Sequence, residues 1–540
     1  MTRIMFNALL CAVLFASTLS SCRVETGAAL PDPTLEDRPA GSAPELPRLR
    51  VEMPPASPAA ATRVLSQGDD LQDAIDDAKP GDVIALQPGA IFKGSITIPV
   101  KEGDQWITIR TNAGAEFPAA GVRVGPAEAR LMPVIESNED QAIITAPGAH
   151  HYRIIGIEVR PPAGRFVGSL ITLGTDTASL DELPHHIVLE RCYIHGDARV
   201  GGRRGIALNA RHVAVIDSYV ADFKEKGHDS QAIAGWNGAG PFAILNNYLE
   251  AAGENLMFGG GDPDVKNLVP SDIEIRGNQF VKPLAWRNGN PWTVKNLFEL
   301  KNARRVVVDN NVFENNWLDA QNGFAILFTP RNQEGGAPWS MVRDVTFTHN
   351  IVRHTSSGVN ILGTDDLRPS LQTKRITIRD NIFDDVDGNR WGGSGRLFQL
   401  LDGAADIVIE HNTAFQTGDV LIGEGDPTHG LIFRNNVAPH NQYGVGGSNT
   451  FGNPPQALAT YFPGVVFQKN VLIGGQPQNY PADNFFPPTV AEVDFLDVAN
   501  GDYRLGSNSP YKNAATDGTD VGAVIDRTSD SGRHRIVGRH

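Results

Sequence analysis

Ile376-Thr377-Ile378-Arg379-Asp380-Asn381-Ile382-Phe383 alternates apolar and polar residues, meets an Asn, and then starts a second apolar pair. The phrase returns as Ile407-Val408-Ile409-Glu410-His411-Asn412 and as Val306-Val307-Val308-Asp309-Asn310-Asn311. Further copies begin at His186, Val213, Phe242, Ile273 and Val345, and degenerate ones at Leu431 and Val465. The equivalent polar position falls on Cys192, Ser218, Asn247, Asn278, Asn311, Asn350, Asn381, Asn412, Asn436 and Asn470, 24 to 39 residues apart. Alternation with period two marks a strand with one buried face, and no helical pattern separates the copies. A unit of strands and turns at this period predicts a solenoid.

The Asn sits where each strand must turn a corner. Asn tolerates left-handed backbone there, and its amide can bond to the same amide one coil above and below. At the ~4.8 Å spacing of neighbouring strands, such coils stack into a column on the order of 50 Å long. On these residues the chain resembles the right-handed parallel β-helix proteins of the pectate-lyase-like superfamily, over residues 64–525. The resemblance implies an all-β fold, a right-handed parallel β-helix solenoid with an N-terminal capping helix. In that helix Leu71, Ala74, Ile75 and Ala78 share one face, with Asp69 or Asp70 as N-cap, and Pro80-Gly81-Asp82 ends it. A cap covers strand edges that would otherwise invite aggregation. Asp502-Tyr503-Arg504-Leu505 resembles the closing turn of the same proteins.

Residues 1–22 concern address. Arg3 is followed by an apolar stretch from Ile4 to Ala16, too short to span a membrane. Leu19-Ser20-Ser21-Cys22 resembles the lipobox of bacterial lipoproteins, which implies lipidation of Cys22; the plainer reading is a cleaved signal peptide in which Cys22 is incidental. Residues 23–63, rich in Pro and Ala, read as an extended tether, and 526–540 as a polar tail. The expected location is the cell envelope, lipid-anchored at the outer membrane or cell surface, or secreted. After processing, only Cys22 and Cys192 remain, so no disulfide framework is available, and Cys192 in a ladder slot reads as a packed thiol. A formal charge of −15 argues against nucleic acid as partner, and no protein partner is implied.

The long faces of such a column suit linear polymers, which in this superfamily are usually polysaccharides. The densest chemistry lies between Gly253 and Arg331, and residues 265–305 carry eight Lys or Arg against three acids. Trp286, Trp292 and Trp317 offer faces for sugar rings, with Arg287 and Gln321 as polar contacts for an anionic chain. In Leu297-Phe298-Glu299-Leu300-Lys301, burying Phe298 and Leu300 makes Glu299 and Lys301 project together. That pair is either a surface ion pair worth under about 1 kcal/mol or part of a site. With Arg331 one repeat on, this stretch loosely resembles the catalytic coils of alginate lyases and chondroitinase B. The resemblance implies Lys301 as the base and Arg331 as the assisting acid. Where that family carries calcium-binding carboxylates, Val294, Lys295 and Asn296 stand here.

β-Elimination needs the uronate carboxylate neutralised and a lysine base tuned from ~10.4 toward roughly 7–8. A competing set, Glu254, Asp262 and Asp264 around a Gly-rich loop, could bind Ca2+ or serve as a hydrolase acid pair. The polygalacturonase pattern is absent. Asp384-Asp385-Val386-Asp387 reads as a solvated turn, and His195, His349, His354 and His411 as satisfied corner residues. Two functions follow: a polysaccharide lyase (or related C5-epimerase) acting on uronate-containing chains, or a non-catalytic glycan-binding or surface-structural β-helix lipoprotein. They differ in geometry, since the enzyme requires Lys301, Arg331, Glu299 and Glu254 to converge in one groove lined by Trp.

Overall fold

A computed structural model describes residues 41, 43–55, 59–289 and 291–524. Cys22, expected to be lipidated, and the tail 526–540 lie outside the described residues. Three parallel sheets of 14, 12 and 13 strands run the length of the molecule. One coil shows the plan: Ser271–Arg276 in the 14-stranded sheet, a corner at Asn278, Gln279–Val281 in the 13-stranded sheet, and Phe298–Leu300 in the 12-stranded sheet. The chain then returns to the first sheet as Ala303–Asp309, paired in parallel with the strand it left. Repetition of this circuit gives a right-handed parallel β-helix, the hand that parallel crossovers of L-residues favour.

The alternation in the sequence decides which side chains enter the column. Val306, Val345, Ile376 and Ile407 stack in register, as do Val308, Phe347, Ile378 and Ile409. All eight are buried in one continuous core. Phe280, Phe313 and Phe347 form an inner stack with ring centres 4.4 and 5.7 Å apart. At the N-terminal end the helix Leu71–Asp77 lays Leu71, Ala74 and Ile75 on this core; Asp70 is its N-cap, accepting from the Asp73 amide at 3.0 Å. At the other end Phe495–Asp497 and Asp502–Leu505 pair antiparallel over a small separate core. Among the described residues no helix is long and apolar enough to cross a membrane.

The corner column is the predicted ladder, extended by one rung. From Asn247 through Asn470 to Asn484, each side-chain amide donates to the next Asn Oδ1 at 2.9–3.1 Å. Each Oδ1 also accepts the backbone N–H of the Asn before it, as Asn350 does from Asn311 at 2.9 Å. Ser218 and Cys192 continue the column toward the N-terminus. Cys192 is buried with its thiol directed at the carbonyls of Glu190 and Ile154, and burial raises its pKa to about 11. The expectation that the ladder Asn itself is left-handed needs correction. Positive φ belongs to the residue before it, such as Asn310 (56°), His349 (53°), Asp380 (54°) and His411 (51°). That residue turns the chain, so the following Asn can aim its amide along the column.

A second left-handed column opens strands of the 14-stranded sheet at Asp272, Arg305, Asp344, Arg375 and Asp406. Stacked one coil apart, they pair by charge. Arg305 grips Asp272 at 2.7 and 3.0 Å, and Arg375 grips Asp344 at 2.7 and 2.8 Å. Part of the segment expected to be an extended tether runs along this column. The amides of Gly41, Glu45 and Arg48 donate to Asp406, Asp344 and Asp272 at 2.8, 3.0 and 2.8 Å. Arg153 holds the Pro55 carbonyl at 2.7 Å, and Val51 packs on Val188, Ala214 and Ala243. Residues 43–55 are therefore a docked strap; an extended proline-rich backbone offers free amides at wide intervals, and the Asp column accepts them.

Candidate functional site

Charged and polar side chains gather on the outer face of the 12-stranded sheet. Phe298 and Leu300 point into the core, which sends Glu299 outward, as the alternation requires. Glu299 is nonetheless only 1 % exposed. Its Oε2 accepts from Asn296 Nδ2 at 2.8 Å, and its Oε1 accepts from Thr329 Oγ1 at 3.2 Å with Lys301 Nζ 3.5 Å away. A buried, triply contacted carboxylate is more than an exposed surface pair.

One coil earlier, Glu254 opens its strand, fully buried, with Gln231 Nε2 donating to Oε2 at 2.8 Å. Lys295 Nζ lies 3.6 Å from Glu254 Oε1 and 2.5 Å from Asp229. Burial, Asp229 and Glu299 push the Glu254 carboxyl above the usual range, against the charges of Lys295 and Lys301. Burial alone would pull Lys295 down, but Glu254 and Asp229 outweigh it and hold the amine above the ordinary lysine value. Arg204 extends the row, donating to Gln231 at 3.1 Å and stacking on Trp236 at 4.8 Å. Beneath it Lys282 Nζ is completely buried, with the carbonyls of Ala251, Ala252 and Gly253 and Asn255 Oδ1 at 2.6–3.0 Å. Burial draws Lys282 to about 7 while Glu254 opposes the shift. Its position excludes it from meeting a substrate.

Arg331 lies one coil beyond Lys301, its backbone N–H donating to the Lys301 carbonyl at 2.9 Å. Its guanidinium is held by Asp365 and Asp366 at 2.6 and 2.9 Å. Glu299, Lys301, Arg331 and Glu254 thus fall on neighbouring coils of one face. The expected tryptophan lining does not. Trp286 and Trp317 are buried with Trp391 and Val294 in an outer apolar cluster, with Trp292 packed against it. Lys224 Nζ stands 4.9 Å from the Trp286 ring centre and 5.7 Å from that of Trp292. Arg287 covers Trp391 rather than open surface, and Gln321 is half-buried in the neighbouring turn. Large rings on long loops bury one another when a cluster is within reach. The cluster still serves the site, because Val294 leads directly to Lys295 and Asn296.

Two acids expected beside Glu254 are elsewhere. Asp262 Oδ2 accepts from the amides of Glu334 and Gly336 at 3.0 and 2.7 Å, tying down the loop after Arg331. Asp264 is exposed, and slight burial and Asp176 raise its pKa. The three do not form a common cation site. The sequence reading missed Gln231, Asp229 and Trp236, and gave Lys295 no role. Gln231 and Glu254 are in register on adjacent coils, so strand pairing was the signal.

Residues 384–387, expected to be a solvated turn, are instead the end of the strand Ile382–Val386 and Asp387, the N-cap of the helix Gly388–Trp391. Asp385 Oδ2 accepts from His354 at 2.8 Å, Arg390 at 2.9 Å and Trp391 at 3.1 Å. Burial pushes its carboxyl up, but His354, Trp391 and Arg390 prevail and its pKa lies below the usual range. A depressed carboxylate adds stability above its unfolded value, near 3.9, and loses it as pH falls through the lower folded value. Asp385→Asn is expected to cost about 1–2 kcal/mol at neutral pH, with the difference from the parent closing below about pH 4; urea unfolding at several pH values measures it. His195, His349 and His411 are likewise engaged, by Glu158, Asp309 and Asp517.

No known family model matches the sequence, and no curated protein matches it. Several solved structures are similar in shape. The PL6 family alginate lyase AlyGC is 15% identical over 86% of this chain and 58% of its own, with a TM-score of 0.49. The Dettilon tailspike protein is 12% identical over 78% and 68% (TM-score 0.42), and pectate lyase Pel9A 13% over 86% and 96% (TM-score 0.36). The chain spans a little over half the length of AlyGC. These are likenesses of shape.

Proposed function

We propose that this protein acts on polysaccharides, as a lyase cleaving uronate-containing chains by β-elimination along the outer face of the 12-stranded sheet. The observation that carries the reading is the buried Glu299 carboxylate beside Lys301, with Lys295 against Glu254 earlier in the same circuit and Arg331 one coil on. Lys301, as the neutral amine, would take the C5 proton and become the ammonium that Glu299 then pairs with; the C5–H electrons would form C4=C5 as the C4–O bond breaks and its electrons leave with the oxygen. Arg331 would protonate the departing oxygen, and Lys295 would meet the uronate carboxylate that must be neutralised first. Glu299 positions Lys301. Calcium enters as one arm of the test: Glu254 Oε1 and Asn296 Oδ1 are buried oxygens that accept no hydrogen bond, but Lys295 Nζ lies 3.6 Å from the first, so a hard cation there would have to displace it. The lipobox would place this activity in the cell envelope on a lipid anchor.

The test is ultraviolet absorbance of the unsaturated product on a panel of uronate polymers, with and without calcium. Lys301→Ala is expected to lose roughly 10²–10⁴-fold in rate, while Cys192→Ala, remote from the face, keeps it. A second reading, a non-catalytic glycan-binding module, is favoured by one observation: Arg331 and Lys295 are already paired with carboxylates. Silence across the panel alongside measurable glycan binding selects it.

A further inference from the structure

Two histidine pairs open adjacent strands of the 14-stranded sheet, away from the face just described. His150 and His151 begin His150–Ile155, and His185 and His186 begin His185–Glu190, with His185 in register with His150. His151 and His186 are left-handed, at φ 59° and 53°. The rings therefore stack coil upon coil: His150 on His185 at 4.8 Å, His151 on His186 at 4.5 Å, and His186 on His212 at 4.4 Å, all within 7° of parallel. Within each pair the two Nδ1 atoms are 2.8 and 2.7 Å apart. Nitrogens of His151, His185 and His186 lie within 4.8 Å of one another, and among the described residues no other trio of His, Cys, Asp or Glu does so. The strap passes over them, with Glu52 3.7 Å from His186 Nε2.

We propose that His151, His185 and His186 bind one first-row transition-metal ion of the zinc class, with Glu52 of the strap as fourth ligand. Imidazole suits Zn2+, Cu2+ and Ni2+, whereas Mg2+ and Ca2+ prefer all-oxygen sets. Three imidazoles and a carboxylate make a tetrahedral donor set, in which metal–nitrogen bonds of about 2.0–2.1 Å put the nitrogens about 3.4 Å apart. Reaching that spacing requires the close pair to open and the distant nitrogens to approach, both by rotation of the imidazoles, of which His185 and His186 are half-buried and His151 is 9% exposed. Glu52 is 68% exposed at its side chain and free to swing in. The bound ion would join two coils to the strap.

The full chain, made without a polyhistidine tag and stripped with chelator, would be titrated with Zn2+ by calorimetry. One equivalent per chain is expected, at micromolar Kd or tighter. The double variant His185→Gln/His186→Gln is expected to weaken it roughly a hundredfold and Glu52→Gln about tenfold. Should the double variant not fold, Cu2+ added to the unaltered chain decides, since ligation here gives nitrogen hyperfine structure from several imidazoles in electron paramagnetic resonance. No saturable Zn2+ uptake, unchanged uptake in a folded double variant, or a copper spectrum of oxygen ligands alone would overturn the proposal and leave hydrogen-bonded imidazole pairs.

Discussion

Asn350→Ala is expected to lower the stability of the column by about 3–6 kcal/mol, near the upper end of single-residue effects. Asn350 is fully buried and works in both directions along the ladder. Its Nδ2 donates to the Val308 carbonyl at 2.9 Å and to Asn381 Oδ1 at 3.1 Å, while its Oδ1 accepts from Asn311 N and Nδ2 at 2.9 and 3.0 Å. Alanine strands several of these groups where water cannot reach, at about 1–3 kcal/mol for each buried group left unpaired, and leaves a small void. In a solenoid each coil contacts chiefly its neighbours, so the loss should be local. Guanidinium unfolding together with native-state hydrogen exchange would read it, with protection falling first in coils 303–316 and 342–355. Asn389→Ala, exposed and outside the ladder, is expected to move the midpoint by less than about 0.5 kcal/mol. Equal shifts in the two variants would remove the ladder from the account of stability.

Lys282→Met is expected to cost about 3–5 kcal/mol, the range for breaking a buried charged contact from one side. Methionine fills a similar volume but donates nothing to three carbonyls and Asn255 Oδ1, all now facing Lys282 Nζ. Those carbonyls belong to the turn entering the strand of Glu254, so the change also releases the floor under the candidate site. The Glu254 carboxyl loses a buried cation nearby and is expected to rise further in pKa. Thermal unfolding checks the first effect. A carboxyl infrared titration, comparing Lys282→Met with the parent, checks the second. A stability change under 1 kcal/mol would mean that water replaces the amine, and that Lys282 is not the pin holding this turn.

The column was legible because its signals are local and repeated. Alternation in Val306-Val307-Val308 and its copies fixes which residues are inward, and a buried Asn at a constant place in the phrase has few partners other than its own kind. The handedness of the corner was displaced by one residue, since backbone sterics favour turning just before the Asn. What escaped was everything that depends on distant partners. The amide of Gly41 meets Asp406, and that of Arg48 meets Asp272, so a proline-rich segment whose composition reads as a tether proves to be docked. Trp286 and Trp317 announce large faces, but only loop packing decides whether those faces are open. Lys295, noticed as an intruder where carboxylates were expected, proved central to the charge arrangement. The histidine pairs recur at the same offset ahead of Tyr152 and Ile187, a regularity invisible until the strands are aligned.

The strap also sets how the molecule would answer a mechanical load. The chain at Gly41 meets the column at the coil of Asp406, far from the first coil it will form, and then runs back toward Pro55. A force applied through the N-terminal side therefore reaches the strap end-on and opens its contacts one after another, at Asp406, then Asp344, then Asp272. Such peeling needs little force at any moment and lengthens the chain while the stacked coils keep all their rungs. Only after the grip of Arg153 on Pro55 is released does tension reach the first strand. The strap would behave as a fuse in series with a stiff rod, yielding first and re-docking when the load is removed.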